Sequence, residues 1–149
     1  MHPEGGHIFV HRRPDDPMAK GICPYHGNCL EGLASGPAIE RRWGRKGVEL
    51  SDCLAVWELE AYYIGQAICT YICTLSPERI VVGGGVMHQE QMLPLIRREV
   101  RRQMHGYIQG KGMDQLEEYI VPVSLGDNQG VMGGVKLAMD AYTEAGGTL

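Results

Sequence analysis

The chain has 149 residues, 44% of them apolar, which suits one globular domain with an ordinary core. A formal net charge of -4 gives no broad positive field for neutralising phosphates, so nucleic-acid binding is excluded as a main function. The longest strongly apolar stretch, Ala67 to Leu75, falls far short of the roughly 20 residues a spanning helix needs. The start Met1-His2-Pro3-Glu4 lacks the basic-then-apolar pattern of a leader, so no membrane partner and a cytoplasmic location are expected.

In chain order, His7-Ile8-Phe9-Val10-His11 has strand composition, and the polar, proline-bearing run from Arg12 to Gly21 predicts a long loop after it. From Leu30 to Trp43 helical patterning breaks at Gly36-Pro37, which predicts a short helix and then a second one with proline in its first turn and Ser35 as its cap. Ser51-Asp52 offers capping side chains before an apolar run from Leu54 to Ile72, which predicts a long buried helix ending at Ser76-Pro77. Arg79 to Val82 predicts a strand closed by Gly83-Gly84-Gly85, and helical spacing returns from Gln89 to Tyr107. Tyr119 to Val123 predicts another strand, Val131 to Tyr142 a last helix, and 144–149 a frayed tail. Alternating strands and helices with turns at the strand ends predict an α/β fold.

Five cysteines is an odd number, and two of them flank a histidine in Cys23-Pro24-Tyr25-His26-Gly27-Asn28-Cys29. Soft or borderline donors recur there every third residue inside a glycine- and proline-bearing loop, which is the usage of a metal site and not of a disulfide framework. Zinc suits thiolates and imidazoles in a closed tetrahedral set of four. The fourth donor is sought among His7, His11 and His2. His7 is preferred because it belongs to a second pattern, and the resulting ion is expected to be structural, supplying the order that the Arg12–Gly21 composition does not.

That second pattern is Glu4-Gly5-Gly6-His7, followed by Cys29-Leu30-Glu31 and Ser35-Gly36. With it the chain resembles, from Glu4 to about Tyr142, the ROK family of sugar kinases and repressors. The zinc loop reads Cys-x-x-His-x-x-Cys where Cys-x-Cys-Gly-x-x-Gly-Cys is commoner in that family. Together with Trp57-Glu58-Leu59-Glu60 and Tyr62-Tyr63-Ile64 this resembles the bacterial fructokinase branch.

The resemblance implies the C-terminal domain of an actin-like (ribonuclease H-like) ATPase fold with an inserted zinc-binding loop. Residues 1–143 would form that domain, with the zinc loop at 7–29 and a nucleotide-side region at 37–143. It further implies ATP-dependent phosphorylation of a hexose, fructose above all, with ATP and Mg2+ beside structural Zn2+. Zinc would be held by His7, Cys23, His26 and Cys29, and sugar hydroxyls by Glu4, His7 and Glu31. Carboxylates accept hydrogen bonds from vicinal hydroxyls, and a metal-fixed imidazole presents its ring in one orientation.

On the adenosine side the resemblance implies Pro37 and Gly83, Gly84, Gly85, Val86 and Met87, where glycines admit a nucleotide close to the backbone. The turn Leu125-Gly126-Asp127-Asn128-Gln129-Gly130 resembles the family's Gly-Asp-x-Ala-Gly turn and is given a structural role. The family's Asp-x-Gly-x-Thr phosphate loop and its Asn-Asp pair, whose aspartate serves as base, have no counterpart in these residues. No catalytic residue is therefore expected in this chain, the N-terminal kinase domain is expected to be absent, and the isolated chain is expected to be inactive. A homodimer or a complementary N-terminal half is the expected partner. The other class the resemblance allows is a noncatalytic sugar-sensing domain of a ROK-type repressor.

Overall fold

A 22-residue helix, α3 (Leu54–Leu75), is the spine of the fold seen in the computed structural model, which describes residues 4–147. Apolar side chains occupy much of its circumference, so it buries two sides at once. On one side Val56, Trp57, Ala61, Ile68 and Ile72 pack with Met92, Leu95, Ile96, Val100 and Met104 of α4 (Met92–Met104). On the other, Leu59 and Tyr63 pack with Val10 and Leu33. Each fully buried Leu, Ile or Val side chain contributes about 1.5–3 kcal/mol, which makes these two seams the main source of cohesion.

Ser51-Asp52 do not cap α3 as expected: its N-cap is Cys53, whose side chain makes no capping bond. The start is held instead by the buried indole of Trp57, which donates to the Leu50 carbonyl at 2.8 Å. The helix stops at Ser76, a non-glycine residue in the left-handed region (φ 46°) whose amide donates back to Ile72, and Pro77 follows.

The helices expected between Leu30 and Trp43 are α1 (Leu30–Leu33) and α2 (Gly36–Trp43). Ser35 caps α2 by accepting from the Ala38 amide at 3.3 Å, and Pro37 sits in its first turn, where a missing N–H costs nothing. The expected strand at 7–11 is not formed. Gly5–His7 is a single 3-10 turn, and Phe9 makes only an isolated antiparallel bridge with Cys29. The reason is local: residues 8–10 spend their backbone groups on residues 28–30, Ile8 accepting from Leu30 and Val10 donating to Asn28.

The strands β1 (Ile80–Val82) and β2 (Ile120–Pro122) pair in parallel, with Ile80 opposite Ile120. Between them run α4 and two short helices, α5 (Lys111–Asp114) and α6 (Leu116–Tyr119). Helix α4 covers one face of the pair, and Arg97 binds the Ile120 carbonyl through two N–H groups at 2.7 and 3.0 Å. On the other face Val81 stays 58% exposed. The last helix, α7 (Gln129–Glu144), has no buried residue. Among the described residues no helix is long and apolar enough to cross a membrane.

Candidate metal centre and flanking site

Two arms carry the candidate ligands. The first is the Gly5–His7 turn, seated on α3 by the Tyr71 hydroxyl, which donates to the Gly5 carbonyl at 2.7 Å. The second is the tight loop Gly21 to Cys29, closed by Gly27 donating to the Cys23 carbonyl at 3.0 Å and by Gly21 donating to the Asn28 side chain at 2.9 Å. A Cβ at either Gly21 or Gly32 would collide with the Gly27 carbonyl, so only glycine lets the loop fold back against α1.

These arms bring His7, Cys23, His26 and Cys29 together, one donor atom from each lying within 4.8 Å of every other. His7 Nδ1 is 3.6 Å from Cys29 Sγ and 3.9 Å from Cys23 Sγ, and His26 Nδ1 is 3.8 Å from Cys23 Sγ. A tetrahedron with Zn–S near 2.3 Å and Zn–N near 2.0–2.1 Å has S···N edges of about 3.5–3.6 Å, so the donor set and its spacing fit zinc. His11 is not in the cluster, its backbone being engaged by the Gln66 side chain at 2.7 and 2.9 Å, and His2 lies outside the described residues.

The thiols are unequal. The His26 backbone amide donating to its sulfur pulls Cys23 down to about 6, against an opposing effect of burial. Burial pushes Cys29 up. Thiolates are the metal-binding form, and a bound cation would supply the positive charge that the buried Cys29 lacks.

The other ring nitrogen of His7, Nε2, lies 3.3 Å from Glu31 Oε2. One imidazole therefore faces the thiols with Nδ1 and a largely exposed carboxylate with Nε2, the second-neighbour arrangement that fixes a ligating histidine's tautomer. Glu31 stands in the first turn of α1, directly after Cys29 and Leu30. Glu4 lies at the head of the same turn as His7 and is exposed, its carbonyl accepting from the His7 amide at 3.0 Å.

Besides any metal, the Arg12–Gly21 loop is held by a buried polar network of its own. Asp16 accepts from Arg42 Nε at 2.9 Å, from the Met18 amide at 2.8 Å and from the Tyr63 hydroxyl at 2.6 Å. Arg42 also donates to Glu60 at 2.8 Å and to the Leu33 carbonyl at 2.7 Å. All three charged side chains of this network are buried. Sequence reading missed it, although an arginine three places from buried Ile39 in α2 and a glutamate amid the apolar run of α3 were the signals.

The adenosine-side residues are less gathered. Gly83 to Met87 follow the C-terminal end of β1, and Gly84 has φ 96°, a conformation that favours glycine. The turn does not open straight into a helix, as the strand-glycine-helix reading expected: a 3-10 turn, Gly85–His88, intervenes, and α4 starts only at Met92. Met87's amide is spent on the Gly84 carbonyl at 2.9 Å. His88 from this turn meets Asp127 from the turn after β2 at 2.9 Å. Pro37 is exposed at the head of α2, and α2 and the 85–88 turn share the core through Ile39 on one side and Val86 and Met87 on the other. A groove of about 830 Å³ lies at the opposite, N-terminal ends of the strands, lined by Ile72, Pro77, Arg79, Ile108 and Tyr119 among others.

Comparison with known proteins places the chain in one family. The ROK family model matches residues 1–141. A Bacillus subtilis (strain 168) protein is 52% identical over 141 residues, covering 94% of this chain and 47% of its own length. A fructokinase of Zymomonas mobilis subsp. mobilis is 44% identical over 142 residues, with 94% and 46% covered. The chain therefore spans about half the length of the curated relatives it matches. Its fold is similar to that of the ROK hexokinase from Thermus thermophilus, with TM-score 0.66 at 22% identity over 87% of this chain and 45% of that one. With nearly its whole length matched by the family model and an α/β fold shared with a solved member, the chain belongs to the ROK family.

Proposed function

We propose that this chain is the metal-bearing part of an ATP-dependent sugar kinase acting on a hexose, with fructose the first candidate. The observation that carries the reading is the His7 ring, which points Nδ1 at two thiols and Nε2 at Glu31. A zinc ion, when bound by His7, Cys23, His26 and Cys29, supplies positive charge for the thiolates and a fixed anchor for that ring. The protein's own groups do the rest. Glu31 and Glu4 accept hydrogen bonds from sugar hydroxyls, and His7 holds Glu31 in place through Nε2. Fructose is put first because relatives such as that of Zymomonas mobilis are fructokinases.

In this reading residues 1–143 form the C-terminal sugar-kinase domain, with the zinc loop at 7–29 and the nucleotide-side region at 37–143. Pro37 and the backbone from Gly83 to Met87 line the adenosine side, at the C-terminal end of a parallel strand where ligands of open α/β sheets bind. Mg2+ enters with ATP. No residue of this chain is assigned as base, so deprotonation of the sugar hydroxyl falls to the half of the relatives' length that it does not cover.

The test is ADP formation with fructose by this chain mixed with the uncovered half of the Bacillus subtilis relative. Expected is fructose-dependent turnover by the pair, none by the chain alone, and at least a tenfold fall in kcat/KM in Glu31→Ala. Turnover by the pair that ignores Glu31→Ala would overturn the sugar-site assignment.

A further inference from the structure

Two cysteines of α3 lie outside the cluster of His7, Cys23, His26 and Cys29 and are free thiols: Cys69, half-buried against the core, and Cys73, exposed. They stand four residues apart, a spacing that puts both on one face of a helix with Cβ atoms about 5–6 Å apart. Both border one open cleft of about 440 Å³ between α3 and the end of α4, with Thr70, Thr74, Met104 and Tyr107 also on its wall.

Sulfur is the donor this cleft offers. The hydroxyls of Thr70 and Thr74 are spent on their own helix, donating to the Gln66 and Thr70 carbonyls at 3.0 and 2.7 Å. The Gln103 amide nitrogen, on the same wall, donates to the Tyr62 carbonyl at 3.0 Å and to Glu99 at 3.2 Å. Met104, the last residue of α4 and nearly buried, adds a thioether. Burial pushes the Cys69 thiol up to about 11, the neighbouring Cys73 and Glu99 act in the same direction, and Arg102 opposes them. A cation held between the two sulfurs would answer that cost.

The pair is better suited to gripping an ion than to closing on itself. A disulfide needs Cβ atoms about 3.5–4.5 Å apart, closer than the helical spacing, so oxidation would have to distort the buried spine of the fold. Two metal–sulfur bonds near 2.3 Å span a sulfur–sulfur gap of up to about 4.6 Å, which the two side chains reach without moving the helix. Structural zinc asks for four nitrogen or sulfur donors, and among the described residues no third His, Cys, Asp or Glu joins this pair. Thiolates with a thioether and no imidazole select Cu(I).

We propose that Cys69 and Cys73, with Met104 as a weaker third donor, form a Cu(I) site on α3. Binding replaces two S–H bonds by two Cu–S bonds and releases two protons, with no change in the oxidation state of copper or sulfur. The single negative charge that remains lies within the field of Arg102.

The inference rests on sulfur chemistry and not on the kinase reading. Its test saturates the 149-residue chain with zinc and then supplies Cu(I) from a bathocuproine disulfonate buffer, without oxygen. Bound copper, retained zinc and the copper coordination shell by X-ray absorption are followed together. Expected are one Cu(I) per chain with zinc retained, a shell of three sulfurs, and affinity lowered at least tenfold by Cys69→Ser and by Cys73→Ser. Cys53→Ser, at the exposed head of α3, should leave the affinity unchanged. Cys73 is exposed, so its replacement should leave the circular dichroism of the parent intact. Met104→Leu, which nearly conserves volume, should reduce the shell from three sulfurs to two. Copper taken up only as zinc leaves, a shell containing nitrogen, or affinity indifferent to Cys73→Ser would each overturn the inference. A shell unchanged by Met104→Leu would overturn the third donor.

Discussion

Glu60 offers a prediction whose sign and size follow from the fold. Its side chain is buried in α3, takes one donor, Arg42, at 2.8 Å on Oε1, and has no partner on Oε2. Asp16 shares the same guanidinium but accepts three donors. One cation faces two acids, so the worse-solvated acid takes a proton. Burial, opposed by Arg42 and aided by Asp16, pushes Glu60 up to about 8. The folded value thus lies above the unfolded one, near 4.5. Between the two the folded state holds a proton that the unfolded state has released, so stability is full at the acid end and falls with rising pH. The slope is about 1.4 kcal/mol per pH unit, or roughly 4 kcal/mol from pH 5 to pH 8, a large share of a typical total of about 5–15 kcal/mol. Glu60→Gln keeps the shape and the carbonyl that meets Arg42, but cannot ionise. Urea unfolding of both proteins at pH 5, 6, 7 and 8 should show Glu60→Gln gaining on the parent as pH rises. A difference that stays flat across that range would refute the reasoning.

Four further outcomes are expected. Gly32→Ala, whose Cβ would strike the Gly27 carbonyl, should open the Cys23 loop and lower zinc affinity at least tenfold while α3 and α4 stay folded. Trp57→Ala removes a fully buried ring and its bond to Leu50, and should cost about 3–5 kcal/mol in chemical unfolding. Ser35→Ala removes the α2 cap and should cost about 1 kcal/mol in the same assay. Gly84→Val, at φ 96°, should weaken ADP binding measured by calorimetry, and unchanged binding would count against the adenosine-side placement.

What the sequence disclosed depended on whether the signal was local. The α2 cap and the α3 stop were legible, Ser35-Gly36-Pro37 opening α2 and Ser76-Pro77 ending α3, because turn chemistry acts within a few residues, whereas the Ser51-Asp52 cap expected for α3 did not form. The spacing of Cys23, His26 and Cys29 was legible for the same reason, and His7 joined them through its motif. The segment 7–11 misled because β-branched and aromatic composition cannot tell a paired strand from an arm whose backbone bonds are taken by a loop. The Asp16–Arg42–Glu60 network was hidden by distance, its members lying 26 and 18 residues apart. The open face of α7 was hidden for a different reason: periodicity reports an apolar stripe but not whether anything covers it.

The claim on which the rest depends is that four side chains from two separate arms form one zinc site that fixes the His7 ring beside Glu31. The most direct measurement is zinc content by elemental analysis of the purified chain and of the single variants His7→Ala, Cys23→Ser, His26→Ala and Cys29→Ser. About one zinc per chain is expected in the parent, as a closed four-donor site requires. Loss of most of it is expected in each of the four variants, and none in Cys53→Ser or Cys73→Ser, whose exposed thiols stand apart from the cluster. A zinc-free parent, or His7→Ala retaining the parent's zinc, would contradict it.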